Sequence, residues 1–406
     1  MGNIIFIGGI FTPSSESKIL SQSKGCIQFA ADTLQKCYLE GLSALGCDFE
    51  LFNMPYIGNY PKLSTLFRFN VHDEDLTIAN RKIHCHNIKF NNLALYKNWS
   101  RYVNLKKALK TLCKRSKGER IVLIIYAAHT PFMKAANEIR REFDNIRTVL
   151  IVPDLPEFMG QSNSFMLRTV HSYNEKLAKE LYNGFDGYVF LSKHMADRIP
   201  VKNNNFEVIE GIYSDNNIPV GSNGLDIGSL AVTYTGTLAQ RYGIMNLVNA
   251  FKKVEKDEAR LVIIGDGNTR ELIEKAAQSD SRILYLGQMP HDKVLEIQRE
   301  SAVLVNPRTS EGEFTKYSFP SKTMEYLASG VPTIINPLPG IPAEYLKYSF
   351  QPKDESVDSL ANCINVILNL SKEQRKHFGN EARAFILSEK TPVPQCRKLM
   401  NLINRI

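Results

Sequence analysis

Short apolar runs punctuate this chain from end to end, and their form constrains its architecture more than any other feature. "NIIFIGG", "RIVLIIYAA", "RTVLIVPD", "GYVFLS", "AVTYTG", "ARLVIIGDG", "ILYLG", "AVLVNPR" and "VPTIIN" are each rich in Val and Ile and bounded by turn-forming residues. Helical segments fill the intervals, one of them near Ile27 to Leu45. Strands apolar on both faces belong to parallel sheets covered by helices on both sides. The alternation pauses at "EGIYSDNNIPVGSNGLDIGS", a Gly-, Asn- and Ser-rich stretch that marks an interdomain linker. The expected architecture is α/β: two doubly wound Rossmann-like domains, residues 1–210 and 230–385, facing across a cleft and joined by a linker at 211–229. Residues 386–406 are expected to form a C-terminal helix packing back on the first domain.

The make-up of the chain, 43% hydrophobic and 23% charged over 406 residues, is that of an ordinary globular protein of two or three domains. The longest strongly apolar run, Ile121 to Ala128, falls far short of the roughly 20 residues that span a bilayer. The N-terminus lacks the basic start of a secretory signal, and Phe6 stands where a myristoylation signal wants Ser or Thr. Seven cysteines, odd in number and without a C-x-x-C pair, argue against a disulfide framework or a zinc cage. A cytoplasmic chain is expected. In "HCH", His84 and His86 share a face if they lie on a strand, but no second ligand pair is near in sequence, so no metal is assigned. Asp73-Glu74-Asp75 follows no clear strand and reads as a solvated loop.

The net charge of +8 is unevenly placed. Between Leu76 and Gly118 there is no acidic residue, while basic residues run from Arg81 to Lys117. Within that block Val103, Leu105, Leu109, Leu112 and Cys113 have near-helical spacing, giving an amphipathic helix whose outer face carries Lys106, Lys107, Lys110 and Lys114. Such a face is either simply solvated or docks peripherally on an anionic membrane, at the inner face of the cell membrane. Nucleic acid is not expected as a partner, because neither an aromatic stacking platform nor a helix-turn-helix pattern accompanies the charge.

Ligands of doubly wound sheets bind beyond the carboxyl ends of the strands. Function is therefore sought in "GGIFTPSS", "AAHTPF", "PDLPEF", "TGTLAQRYG", "GDGN", "GQMP" and "NPRTSEGE". Gly9, Gly236 and Gly287 allow close backbone approach, Gln288 and Met289 follow the last, and His129, Asp154, Arg241 and Arg308 carry chemistry. The Gly8-Gly9 loop, with Ser23-Lys24-Gly25, is placed to bring backbone amides to a ligand. Gly265 and Gly267 follow a strand but lack the third glycine of a dinucleotide fingerprint.

Together, "YTGTLAQRYGI", "LVIIGDGNTREL", "LGQMPHDKVLEIQRESAVLVNPR" and "FPSKTMEYLASGVPTI", in this order, resemble the C-terminal half of family 4 of the retaining glycosyltransferases. A weaker likeness runs through "AAHTPF", "VFLSKHMADRI" and "VIEGI" in the N-terminal half. The resemblance implies the GT-B fold, a nucleotide-sugar donor, a glycan or lipid-linked acceptor, and transfer without a metal or other cofactor. It implies that Lys322 and Arg241 form the basic pair for the diphosphate, that Glu325 receives the ribose hydroxyls, that Ser321 and Gly236 line the donor, and that His129 lies near its sugar. The family often has a first glutamate eight residues before the second; here that place is Tyr317, and Glu311, Glu313 or the Tyr317 phenol are the substitutes that the sequence offers. Two other readings share the fold: a nucleotide-sugar epimerase, and a non-catalytic nucleotide-binding partner of another transferase.

Overall fold

Parallel strands with helical crossovers form two sheets, one in each of two units. The computed structural model describes residues 3–25, 27–116, 118–155, 157, 176–214 and 225–406. One unit comprises Met1–Ile212 with Pro392–Ile406, the other Tyr213–Thr391. The interior of the expected linker, 215–224, lies outside the described residues, as do Cys26 and Lys117.

The first unit holds β1 (Asn3–Gly8), β2 (Phe49–Asn53), β3 (Arg68–Phe69), β4 (Glu74–Ile78), β5 (Arg81–Asn87), β6 (Phe90–Asn91), β7 (Ile121–Tyr126), β8 (Ile146–Val152), β9 (Gly187–Phe190) and β10 (Phe206–Val208). Eight of them make a sheet in the order β10-β9-β8-β7-β1-β2-β5-β4, parallel except for β4, which runs antiparallel to β5. β7 is buried at every position, as its unbroken apolar run requires. The closing helix Pro392–Arg405 puts Cys396, Leu399, Leu402 and Ile403 into this unit's core, while the preceding helix runs on to Glu389.

The second unit holds β11 (Ala231–Thr235), β12 (Arg260–Ile264), β13 (Ile283–Tyr285), β14 (Val303–Asn306) and β15 (Thr333–Ile335) in the all-parallel order β13-β12-β11-β14-β15. Its core gathers Val232, Leu261, Val303 and Val305 under Leu247, Phe251 and Ile364.

Two expectations change here. Asp73-Glu74-Asp75 is not a free loop: Glu74 begins β4, a strand missed because its outward positions, Asp75 and Thr77, are polar and only Leu76 of its length is fully buried. The helix Lys97–Arg115 forms with Leu105, Leu109 and Cys113 inward, but its cationic face is partly neutralised. Lys106 bonds Glu138 and Lys110 bonds Glu142, both on the neighbouring helix Thr130–Glu142, and Arg101 is buried. Among the described residues, no helix is long and apolar enough to cross a membrane.

Candidate functional site

In the second sheet the chain leaves β11 toward β12 on one side and returns to β14 on the other, so the loops after β11 and β14 flank the topological switch point where such sheets take ligands. The β11 loop starts at Gly236, with φ +123°, and a Cβ there would lie 2.0 Å from Lys322 Nζ. Only glycine leaves room for the lysine to cross this backbone. Further along the loop, Gly243 is left-handed at φ +74°, and an added Cβ would meet the Pro307 carbonyl of the β14 loop at 2.1 Å. The two loops are thus held in contact by the lack of side chains.

Lys322 opens the helix Lys322–Ala328, which is tied to the end of β11 by the buried Tyr326. The Thr235 amide donates to Tyr326 Oη at 2.8 Å, and that hydroxyl reaches the Thr235 carbonyl at 3.2 Å. Lys322 Nζ donates to Tyr234 Oη at 3.1 Å and stands 4.5 Å from the centre of that ring. Burial pulls its ammonium down to about 8, opposed by Glu325 and reinforced by Arg308. The lysine and Glu325 form no ion pair. Glu325 instead accepts from Gln298 Nε2 at 2.6 Å and faces His291 Nε2 at 3.7 Å. Gln298, wholly buried, also reaches Thr235 Oγ1 at 3.0 Å.

A second buried cation, Arg308, follows β14. It is 8% exposed, donates to Ser318 Oγ at 3.0 Å, and lies over the Phe314 and Tyr242 rings at 4.6 and 5.5 Å. Burial, with Arg241 nearby, holds its pKa below the ordinary guanidinium value. Arg241 is exposed, covers the same Tyr242 ring at 5.0 Å and donates to its hydroxyl at 3.1 Å. Among the described residues none of these three cations has a carboxylate within ion-pair distance. Lys322 and Arg308, largely buried and without an ion-pair partner, lie close enough to repel each other, as do Arg308 and Arg241, and an anionic ligand would relieve that cost.

The first unit has its own switch point, at the ends of β1 and β7. His129 caps the helix Thr130–Glu142 beyond β7. Arg101 Nη1 lies 3.0 Å from His129 Nε2. A guanidinium can only donate, so Nε2 accepts and the ring proton sits on Nδ1. Burial, then Arg101, then Lys97 push the His129 pKa well below its usual value, so the imidazole is neutral. Lys97 is itself buried to 7% exposure against the Ile57 carbonyl and Asn59 Oδ1, and burial brings it down to about 6.

Residues 229–369, within the second unit, match the family model described as glycosyl transferases group 1. No curated protein matches the sequence. Among solved structures, sucrose-phosphate synthase from Thermosynechococcus elongatus aligns over 100% of this chain and 99% of its own, with 16% identity and a TM-score of 0.61. Anabaena HepE in complex with UDP aligns over 100% of both chains at 13% identity, TM-score 0.60. The lipopolysaccharide outer core galactosyltransferase WaaB aligns over 99% of both at 14% identity, TM-score 0.60.

The fold is GT-B. The family match to its second domain supports a glycosyltransferase. In this GT-B chain, Gly236, Arg241, Ser321, Lys322 and Glu325 surround the second switch point, although Ser321 is exposed and caps nothing with its hydroxyl. Gly287 accepts the Gly265 amide at 2.8 Å, Gln288 is exposed, and Met289 packs against the apolar cluster of Ile264 and Ile297. Tyr317 is buried, its phenol 3.4 Å from Glu313 Oε1, while Glu311 is exposed. The first glycine loop differs from expectation: Gly9, Ile10 and Phe11 donate their amides to Gln35, Asn53 and Asp32 side chains at 2.7, 2.8 and 2.7 Å, leaving none of the three for a ligand. Asp154 is exposed beyond β8. Arg308 was named only as one residue of a strand-end loop, with no role and nothing there to show its burial, and Arg101 was not selected, since it looked like one more surface cation of a basic helix.

Proposed function

We propose that this chain is a glycosyltransferase that moves a sugar from a nucleotide-diphosphate donor to an acceptor, with the donor diphosphate held by Lys322, Arg308 and Arg241. The observation that carries this reading is a trio of cations at a strand-end switch point, none of them in an ion pair with a carboxylate among the described residues. As the bond between sugar and diphosphate breaks, negative charge grows on the leaving phosphate, and fixed cations in a desolvated site answer that charge more strongly than they answer the ground state. Glu325, held by Gln298 rather than by Lys322, keeps an oxygen for the hydroxyls of a ribose. His129, neutral with its proton on Nδ1, is suited to donate to a sugar hydroxyl and not to act as an acid.

Finer parts of this reading are transfer with retention of anomeric configuration, as the family resemblance implies, and an acceptor that is a glycan or a lipid-linked glycan of cell-surface polysaccharide assembly. HepE in complex with UDP-glucose, and TarM with Fondaparinux, alpha-GlcNAc-glycerol and UDP, lend support from proteins of similar fold. No metal is assigned a part in the transfer. Peripheral contact with an anionic membrane would fall to Lys107, Lys114 and Arg115, the exposed cations of their helix. Incubating the protein with a panel of nucleotide sugars and following nucleoside diphosphate release tests the proposal. Slow hydrolysis of one donor is expected. Conversion of the donor to an epimer without an acceptor would make the chain an epimerase, and inertness toward every donor would leave it a binding partner.

A further inference from the structure

Two features dismissed separately in the sequence meet in the fold. β5 is paired antiparallel with β4 at the sheet edge, with Asp75 opposite His84, and parallel with β2, with Phe52 opposite His86. Side chains alternate across a strand, so Leu76, Ile83 and Cys85 enter the core while His84 and His86 stand on the outer face. Their rings are 4.4 Å apart, centre to centre. Asp75 Oδ1 bonds His84 Nδ1 at 2.8 Å, and Glu50 Oε2 bonds His86 Nε2 at 2.7 Å. The remaining nitrogen of His86, Nδ1, faces Asp73 Oδ2 at 3.2 Å, and Asp73 is oriented by accepting the Asn87 amide at 2.9 Å on its other oxygen. One potential ligand atom from each of Asp73, His84 and His86 lies within 4.8 Å of the others.

We propose that Asp73, His84 and His86 bind a divalent transition-metal cation, zinc being the best fit, on the outer face of the first unit's sheet. This site is independent of the donor site and of the glycosyltransferase reading. The chemistry is that of imidazole with carboxylate, a donor set that suits zinc and its neighbours in the first transition series better than magnesium or calcium. With metal–ligand bonds of roughly 2.0 to 2.1 Å, tetrahedral geometry sets ligand atoms about 3.3 Å apart. Asp73 and His86 already stand at nearly that separation, at 3.2 Å, and His84 has to close the rest by rotating an exposed side chain. Each imidazole has its other nitrogen held by a carboxylate, His84 by Asp75 and His86 by Glu50. That is the outer arrangement that fixes tautomer and ring direction in metal-binding histidines. The cation would tie the residue before β4 to β5, fastening the edge of the sheet. The competing occupant of the gap between Asp73 and His86 is a proton on His86.

The test uses the full chain, stripped with chelator, and titrated calorimetrically with zinc chloride and spectroscopically with cobalt(II) chloride. A single equivalent should bind, with cobalt showing visible bands of nitrogen and oxygen ligation. Binding should be lost in His84→Gln and His86→Gln, and weakened about tenfold to a hundredfold in Asp75→Asn, which removes only the outer support. Circular dichroism of the metal-free variants checks that they fold; should a histidine variant fail to, Asp73→Asn, exposed and off the core, supplies the same decision. Unchanged affinity in these variants, or cobalt absorption of thiolate type showing capture by cysteine, would overturn the proposal, as would a lack of binding by the wild type.

Discussion

Replacing Lys322 with Met separates a lysine that serves a ligand from one that serves the fold. The depression of its pKa from 10.5 to about 8 amounts to roughly 3 kcal/mol against the charged form in the folded chain. Below pH 8 folded and unfolded chains both carry the charge, and the full penalty applies. Between pH 8 and 10.5 the unfolded chain holds the proton that the folded chain has lost, so stability rises with pH across that window. Methionine keeps an unbranched stem over Gly236 and removes the charge, and Tyr234 still donates to the Thr237 carbonyl at 2.7 Å. The variant should therefore be at least as stable as wild type near neutral pH, while kcat falls about 10²- to 10³-fold, or ~2.7–4 kcal/mol. In the wild type, kcat/KM should decline as pH rises through about 8, where the free chain loses this cation. Denaturant unfolding and initial rates of nucleoside diphosphate release read both quantities. A Met variant that is destabilised by more than about 1 kcal/mol yet turns over normally would refute the reasoning, because that is how a structural hydrogen-bonded lysine behaves.

Three further outcomes follow from neighbouring geometry. Gly236→Ala places a methyl where Lys322 Nζ now lies, on a backbone with φ +123°, and should cost roughly 1–3 kcal/mol of stability while lowering turnover through the displaced lysine; thermal melting and rates check it. Glu325→Ala should weaken nucleotide binding by roughly 1.5–3 kcal/mol, the range of a hydrogen bond to a charged group, with kcat at saturating donor changed less; calorimetric titration of the free nucleotide separates the two effects. Arg101→Gln removes the obligate donor at His129 Nε2 and one of the cations that depress its pKa, so the imidazole should titrate at higher pH in an NMR pH series; an unchanged titration would show that Arg101 does not depress it and leave burial and Lys97 as the causes.

The apolar strands, their parallel pairing and the strand-end loops were legible because nine runs of Val and Ile admit little else. Lys322, Glu325, Gly236 and Arg241 were named from the family resemblance of their motifs, and the topology brings the loops and helix start that carry them to one switch point. What stayed hidden depends on contacts distant in sequence. Lys106 and Lys110 read as free cations because Glu138 and Glu142 belong to the next helix. Asp73 and Asp75 read as loop because a two-sided edge strand with one polar face has too few apolar residues to announce itself, and so their meeting with His84 and His86 went unseen. Arg308 gives no local sign of being buried against Phe314 and Ser318. The Gly9 loop was misread for a similar reason: Gln35, Asn53 and Asp32 come from other elements to consume its amides.

The central claim is that the cations at the second switch point, none of them in an ion pair, hold a diphosphate. Isothermal titration of wild type, Lys322→Met and Arg308→Gln with UDP, GDP, ADP and the matching monophosphates tests it most directly. One diphosphate should bind wild type more tightly than its monophosphate, and each variant should lose about tenfold or more of that affinity, the loss expected for a charged hydrogen bond of roughly 1.5–3 kcal/mol. Equal binding of mono- and diphosphates, or variants that bind as wild type does, would contradict the claim.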